Sequence, residues 1–428
     1  MNRSKRTHRE AEIDPDHTAI STRRVLIVNA YSTLNRGDAV ILDGLIAALR
    51  DAGAREITVA APADPAEEGR RRALGADQVV PMVFDLLQAP TWIRRTYPLL
   101  AVWAAWAAAG AIVRGVIMPR SDAALRAYTE ADLVVSSGGA YIGGRRPGIN
   151  LVTGFQIAVA ALLRRPCVVA PVTVKPMSRS VAVILGIVLR RAAVFARDTP
   201  SAERLAAIGV DAVVSSDLAF RSPSARRSAD LRPDRRRPLV AWAPRQFATD
   251  SDVHRIRHAI HDAAIRAVSA VVRARGADLL IVAQSTADGV EDDAPIIARA
   301  MRDLPEDIRV RTELVVPRDI ADAMARYASA DLLYAFRMHA AIMALIAGTP
   351  ALVVAYEAKV PGVFDLIGLG DWVVTPADAV DAVNVADRLL SLSRDDAKAR
   401  IDGAIALARE LDAPFMSELR RRLGSAGD

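Results

Sequence analysis

The stretch Tyr334–Lys359, YAFRMHAAIMALIAGTPALVVAYEAK, gathers the residue types best suited to chemistry. Arg337 carries a planar guanidinium that matches a carboxylate or phosphate bidentately. His339 can move a proton near neutral pH. The apolar pattern predicts a strand over Leu332–Phe336, a helix over Ala340–Ala347 and a strand over Leu352–Tyr356. Arg337, Met338 and His339 then occupy the turn into a helix, where unpaired N–H groups hold anions. Glu357 and Lys359 leave the next strand at the same sheet edge. Anion binder, proton donor and ammonium therefore converge by topology. The competing reading is that Arg337 and His339 only pair with local carboxylates or carbonyls.

Other loops point to the same edge. Tyr31–Asp38 (YSTLNRGD) follows a predicted strand: Gly37 permits close backbone approach, while Asn35 and Asp38 offer a polar rim or a helix cap. Ser137–Gly144 (SGGAYIGG) reads as a second Gly-rich loop, with Gly138 and Gly139 at its start. The first loop lacks the dinucleotide fingerprint and the P-loop pattern, and the second suits close approach of a ligand but is a weak dinucleotide signal. Arg197-Asp198 ends one strand, with Asp198 or Thr199 a cap for the next helix, and Arg245 follows the first strand of the second half. This chain writes arginine almost everywhere: its four lysines are Lys5, Lys175, Lys359 and Lys398, and two of these lie just after predicted strands. His254, His258 and His261 share a helical face at a spacing able to bind zinc, but no Glu or Cys completes a ligand set, so a solvated face and no metal are expected.

The elements that must position these loops alternate. Strands are predicted at Val25–Ala30, Ile57–Ala61, Asp132–Ser136, Cys167–Val172, Ala193–Ala196 and Ala212–Ser215, with helices between them such as Ala39–Arg50 and Ser201–Ile208. Arg221–Arg237 (RSPSARRSADLRPDRRR) is almost free of apolar residues and reads as a linker. Alternation restarts at Leu239–Ala243, with a long helix over Val253–Ala274, a strand at Leu279–Val282, a helix at Ala294–Leu304, an ambiguous strand at Arg309–Thr312 and a helix at Ile320–Ala328. Such alternation implies an α/β fold of two doubly wound, Rossmann-like domains facing a cleft. The expected division is a disordered tail at 1–22, a first domain at 23–220, a linker at 221–237 and a second domain at 238–428.

Composition narrows the class. The 428 residues are 52% apolar and 25% charged, which fits a globular chain and argues against a disordered or collagen-like one. One cysteine, Cys167, leaves no disulfide framework and fits a reducing compartment. The +6 net charge is spread arginine with sparse aromatics, not the interleaved pattern of a nucleic-acid binder, so no nucleic acid is expected. The polar first 22 residues lack the apolar run of a secretory signal. Leu99–Val113 (LLAVWAAWAAAGAIV) is uninterrupted apolar sequence, broken at Arg114 and resumed to Met118. It is short for a membrane span, and suits a buried or partner-facing helix; Trp92, Trp103, Trp106, Arg94, Arg95, Arg114 and Arg120 also suit in-plane membrane contact through 99–118.

Taken together, Arg337-x-His339-x-x-Ile342-x-Ala344-x-x-x-Gly348-x-Pro350, followed by Tyr356-x-x-Lys359, resembles the C-terminal signature of the polysaccharide pyruvyl transferase family. Asn35-x-Gly37-Asp38 with Ile41 is similar to its first motif, and Asp132-Leu133-Val134 leading into Ser137-Gly138-Gly139 to its second. Arg197-Asp198 with Ser201 and Gly209 resembles its middle motif, and Asp217 the acid that follows. The resemblance runs from about Arg24 to Trp372; it departs at Ala170–Pro176 (APVTVKP), where the family often has Gly-Gln-x-x-Gly-Pro, and at Asp198, where Glu is common.

The resemblance implies a GT-B-like fold. It implies transfer of a pyruvyl group from phosphoenolpyruvate, a co-substrate with no further cofactor, to a cell-surface glycan or its lipid-linked precursor, giving a ketal. His339 and Arg337 become the catalytic residues. Donor contacts fall to Arg337, Met338 through its backbone, His339 and Lys359, with a further arginine, Arg245 ahead of Arg197. Asn35, Gly37, Asp38, Gly138 and Gly139 become acceptor contacts. A cytoplasmic location, at the inner face of the membrane in one version, goes with this reading. Two alternatives are a GT-B glycosyltransferase using a nucleotide-sugar and a non-catalytic glycan-assembly protein on the same scaffold.

Overall fold

The computed structural model describes residues 23–62, 64–82, 123–144, 147–227, 235–247, 253–287 and 292–424. The expected tail at 1–22, the apolar segment 99–118 and the middle of the expected linker lie outside the described residues.

Short, continuous apolar runs become strands buried on both faces, as parallel sheets require. In the first half these are β1 (Arg24–Val28), β2 (Glu56–Ala61), β3 (Gln78–Pro81), β4 (Leu133–Ser136), β5 (Gly139–Ile142), β6 (Cys167–Val174), β7 (Ala193–Ala196) and β8 (Ala212–Val214). They pair in the order β3-β2-β1-β4-β6-β7-β8, with β5 alongside β6. The second half supplies β9 (Leu239–Ala243), β10 (Asp278–Val282), β11 (Thr312–Val315), β12 (Leu332–Ala335), β13 (Ala351–Val354) and β14 (Val373–Val374), ordered β11-β10-β9-β12-β13-β14. The ladders β1–β2, β1–β4, β9–β10 and β9–β12 are all parallel. Strand order reverses at β1/β4 and again at β9/β12, and such reversals open a crevice at the carboxyl ends of the strands.

Four helices matter below: α1 (Arg36–Asp51), α2 (Thr199–Ala207), α3 (Met338–Ile346) and α4 (Ala413–Gly424). Asn35 caps α1 by accepting from the Gly37 N–H, and Asp198 caps α2 by accepting from Ser201. The α3 sequence, MHAAIMALI, is apolar on nearly every side, and the helix is correspondingly buried between sheet and neighbours.

Several expectations are corrected. Arg309–Thr312 is not a strand: Glu306–Arg309 forms a helical turn, and the strand begins at Thr312. Within the Gly-rich segment 137–144, residues Gly139–Ile142 form β5 rather than loop. The helices Pro65–Ala73 and Ala123–Glu130 and the strands β3 and β14 had no clear sequence signal. The expected linker starts as packed structure: Arg221 bridges Asp51 and Asp412, Ser222 donates to Asp43, and Ala225 is buried. The last described helix, α4, leaves the second half and places Phe415, Met416, Leu419 and Leu423 in the apolar core that holds Val25, Ile27 and Phe195 of the first sheet. Among the described residues no helix is long and apolar enough to cross a membrane.

Candidate functional site

A cavity of about 400 Å³ opens between the carboxyl edges of the two sheets. Both walls are built from loops that leave strands. From the first sheet, Tyr31, Asn35 and Asp38 follow β1, Tyr141 lies on β5, Lys175 follows β6 and Arg197 follows β7. From the second, Arg245 follows β9, Gln284 follows β10, Arg337, Met338 and His339 follow β12, and Tyr356, Glu357 and Lys359 follow β13.

The second wall is organised by carboxylates behind its cations. Arg337 is buried and gives its Nη2 to Asp293 Oδ1 at 2.6 Å. Asp293 is itself fixed by the backbone N–H groups of Gln284 (3.0 Å) and Ser285 (2.9 Å). Arg337 also stands at the N-cap of α3 without making a side-chain cap, so the first N–H groups of that helix keep their capacity for an anion. Arg245 stacks over the Tyr356 ring at 4.5 Å, and Lys359 approaches the same ring at 5.2 Å. Burial alone would raise the Tyr356 phenol; the charges of Lys359 and Arg245 bring it below its ordinary value instead. Glu357 bridges Lys359 (3.0 Å) and Lys175 (3.2 Å) across the cleft. Those cations outweigh its desolvation and hold its carboxyl far below the usual carboxylate range.

His339 reaches across the cleft. Its Nε2 lies 3.3 Å from Asp217 Oδ2 and 3.4 Å from Arg197 Nη1, both carried by the first sheet. Arg197 and Asp217 form an ion pair of 2.7 Å that is almost wholly buried. Burial would raise the Asp217 carboxyl, but Arg197 and His339 override it and hold it well below the usual range. The other edge of the imidazole faces α1: a Cβ built on Gly37 would come within 2.5 Å of Nδ1.

The first wall adds aromatic surface. Tyr31 and Tyr141 lie with ring centroids 4.2 Å apart. Burial and the bond it makes to Asp38 push the Tyr141 phenol well above its ordinary value, so it stays a donor to that carboxylate.

The structure thus brings Asn35, Asp38, Arg197, Arg245, Arg337, Met338, His339 and Lys359 to one cavity. Three residues expected as acceptor contacts, Gly37, Gly138 and Gly139, are not among those that line it. Gly37 instead makes room for His339. Gly138 lies against the Pro171 carbonyl, where a Cβ would approach to 2.8 Å, and Gly139 has φ +133°. Both are needed by the backbone. The competing reading of Arg337 and His339 is half realised, since each has a carboxylate partner, yet each also faces the cavity. Tyr31, Tyr141 and Asp293 escaped sequence reasoning; the tyrosines sit in the two loops already singled out, whereas Asp293 lies beyond the β10 loop with no motif around it. His261, expected on a solvated face, is buried beside Phe247 (5.3 Å) and Phe336 (5.2 Å). Among the described residues no group of His, Cys, Asp or Glu is arranged to hold a metal ion.

Two parallel sheets that face one another across a cleft lined by strand carboxyl ends define the GT-B class. Solved structures agree on the fold. They include a putative UDP-N-acetylglucosamine 2-epimerase from Listeria monocytogenes, with TM-score 0.56, 14% identity and coverage of 93% of this chain and 94% of that one. A glycosyltransferase from Rickettsia africae matches with TM-score 0.56, 12% identity and coverage of 95% and 98%. A UDP-GlcNAc 2-epimerase from Neisseria meningitidis bound to UDP-GlcNAc matches with TM-score 0.55, 10% identity and coverage of 92% and 99%. At such identities the likeness is one of fold. The family model for polysaccharide pyruvyl transferase matches residues 35–358, and the chain belongs to that family. No curated protein matches it.

Proposed function

We propose that the protein transfers the pyruvyl group of phosphoenolpyruvate to two hydroxyls of a sugar in a cell-surface glycan or its lipid-linked precursor, forming a cyclic ketal and releasing phosphate. The observation that carries this reading is the meeting of an imidazole with five side-chain cations (Lys175, Arg197, Arg245, Arg337 and Lys359) at one cavity. Phosphoenolpyruvate has a carboxylate and a phosphate, and so needs two cationic contacts around one carbon–carbon double bond. Arg337 with the open N-terminus of α3 offers one anion site. Arg245 and Lys359, grouped on the Tyr356 ring, offer the second.

In the reaction His339, as imidazolium, gives a proton to the methylene carbon, which becomes the methyl group. The cation left at the neighbouring carbon is taken by one sugar hydroxyl. The carbon–oxygen bond to phosphate then breaks, the second hydroxyl closes the ring, and the two hydroxyl protons leave with phosphate and return to His339. Arginine and lysine charge stabilises the departing phosphate. Asp38, on the opposite wall and bonded by Tyr141, takes the first hydroxyl's proton as base and passes it to the departing phosphate. The tilted Tyr31–Tyr141 pair offers the acceptor ring an apolar face beside that base.

Incubation with labelled phosphoenolpyruvate or with UDP-sugars tests this. Phosphate release with label entering the glycan is expected; UDP release would replace the reading by nucleotide-sugar transfer. His339→Ala is expected to keep donor binding while turnover falls by about 10²–10⁴-fold. Turnover near wild type would remove His339 from the mechanism.

A further inference from the structure

The His339 imidazole belongs to the second sheet, yet its charged neighbours Asp217 and Arg197 belong to the first. Asp217 is fully buried, and its two oxygens have separate tasks. Oδ1 accepts from the Ala219 N–H (2.9 Å) and caps the short 3-10 turn Leu218–Arg221. That task needs one oxygen only. Oδ2 points away from the turn and is shared by Arg197 (2.7 Å) and His339 Nε2 (3.3 Å). Arg197 cannot swing aside, because its Nε donates to Thr173 Oγ1 (2.8 Å), whose hydroxyl donates to Asp198 Oδ2 (2.8 Å). A buried chain of side chains on the first sheet therefore aims one carboxylate oxygen at a ring on the second. Gly37, flanked by the cavity-lining Asn35 and Asp38, stands against the opposite edge of that ring.

We infer that Asp217 is the positioning residue for His339: its Oδ2 takes the Nε2–H of the neutral ring, which fixes the tautomer and seats the imidazole at the cavity wall. The proton donor is then complete only when the two sheets are closed on each other, since neither half alone carries both ring and carboxylate. The inference rests on the reading of His339 as proton donor, and goes beyond it by naming the residue that sets the tautomer and place of its ring.

The test has two arms. In the first, ¹⁵N-histidine NMR of the full chain, with the His339 signals assigned by their loss in His339→Gln, reads which nitrogen holds the proton in the neutral ring. Nε2–H is expected, and Asp217→Asn is expected to lose that preference. A wild-type ring protonated on Nδ1 alone overturns the inference, and this result does not depend on the variant folding. In the second arm, Asp217→Asn is expected to lower kcat on phosphoenolpyruvate by about 10²-fold with KM within about threefold. A fall in kcat with the wild-type tautomer retained in Asp217→Asn would make Asp217 a turn cap only. If the wild-type protein releases no phosphate from phosphoenolpyruvate, the proposed reaction fails while the NMR arm still judges the role of Asp217.

Discussion

One hydrogen atom at position 37 decides where the imidazole of His339 sits. In a helix an alanine would ordinarily be favoured over glycine by up to about 1 kcal/mol. At Gly37 the added methyl would fall 2.5 Å from Nδ1 and 2.9 Å from Cγ of the ring. Gly37→Ala is therefore expected to stay folded, with a melting temperature no lower than wild type, while turnover drops on the order of 10²-fold from misplacement of the proposed proton donor. Unchanged turnover would mean that the ring can work from another position. His261 makes an opposite case, in which a histidine matters by staying neutral. Burial, with Arg299 adding repulsion, lowers its pKa to about 3, and the ring holds the loop of Arg245 through that residue's backbone. The unfolded chain titrates near 6.5, so stability is whole above that value and declines as pH falls toward 3, because only the unfolded state takes up the proton. At pH 5 the loss is about 2 kcal/mol. His261→Phe, which keeps the packing against Phe247 and Phe336, is expected to flatten urea stability between pH 7 and 5; an unchanged slope would assign the acid sensitivity elsewhere.

At the scale of elements, α1 carries the first sheet to the second. The Arg36 N–H donates to the Gln284 carbonyl (3.1 Å), and Asn35 and Ser285 form an isolated antiparallel bridge. The Arg36 guanidinium, itself buried, reaches the Pro317 carbonyl through Nε (3.2 Å) and Nη2 (2.5 Å), and the Thr33 carbonyl through Nη1 (3.0 Å). Charge-assisted bonds of this kind contribute about 1.5–3 kcal/mol, so Arg36→Met should lower urea stability by about 2–3 kcal/mol. A cost under 1 kcal/mol would mean the cross-sheet seam adds little. These elements were unevenly legible in sequence. Continuous apolar strands such as β1, β6, β9 and β12 announce themselves, because a strand buried on both faces has to be apolar throughout. The edge strand β3 (QVVP) and the helix Pro65–Ala73 do not, since one is short and half-exposed and the other is mostly charge. β5 was hidden by the glycines on either side of it. Among site residues, the loop ends Arg337, His339 and Asp38 were legible because a parallel sheet delivers every such loop to one edge. The pairings Arg337–Asp293 and His339–Asp217 were not, because they join residues 44 and 122 positions apart, and only the folded chain brings those together.

The whole molecule is tied together twice. Ala39 and Val40 of α1, with Ala219, Phe220 and Ala225, belong to the apolar core that also holds β9, β12 and α3 of the second half. In return α4, the last described helix, completes the core of the first sheet, with the Phe415 ring 5.2 Å from Phe195. Proteins of two domains commonly unfold in steps. Here each half lacks part of its own core without the other, so one urea transition is expected, with far-UV circular dichroism and limited proteolysis moving together. Phe415→Ala tests the coupling directly. Loss of a buried phenylalanine costs about 3–5 kcal/mol. If the halves are coupled, that cost shifts the entire transition to lower urea. If instead the first half melts early and leaves the β9–β14 sheet folded, the shared cores do not join the two sheets into one unit, and closure of the cleft would have to come from ligand alone.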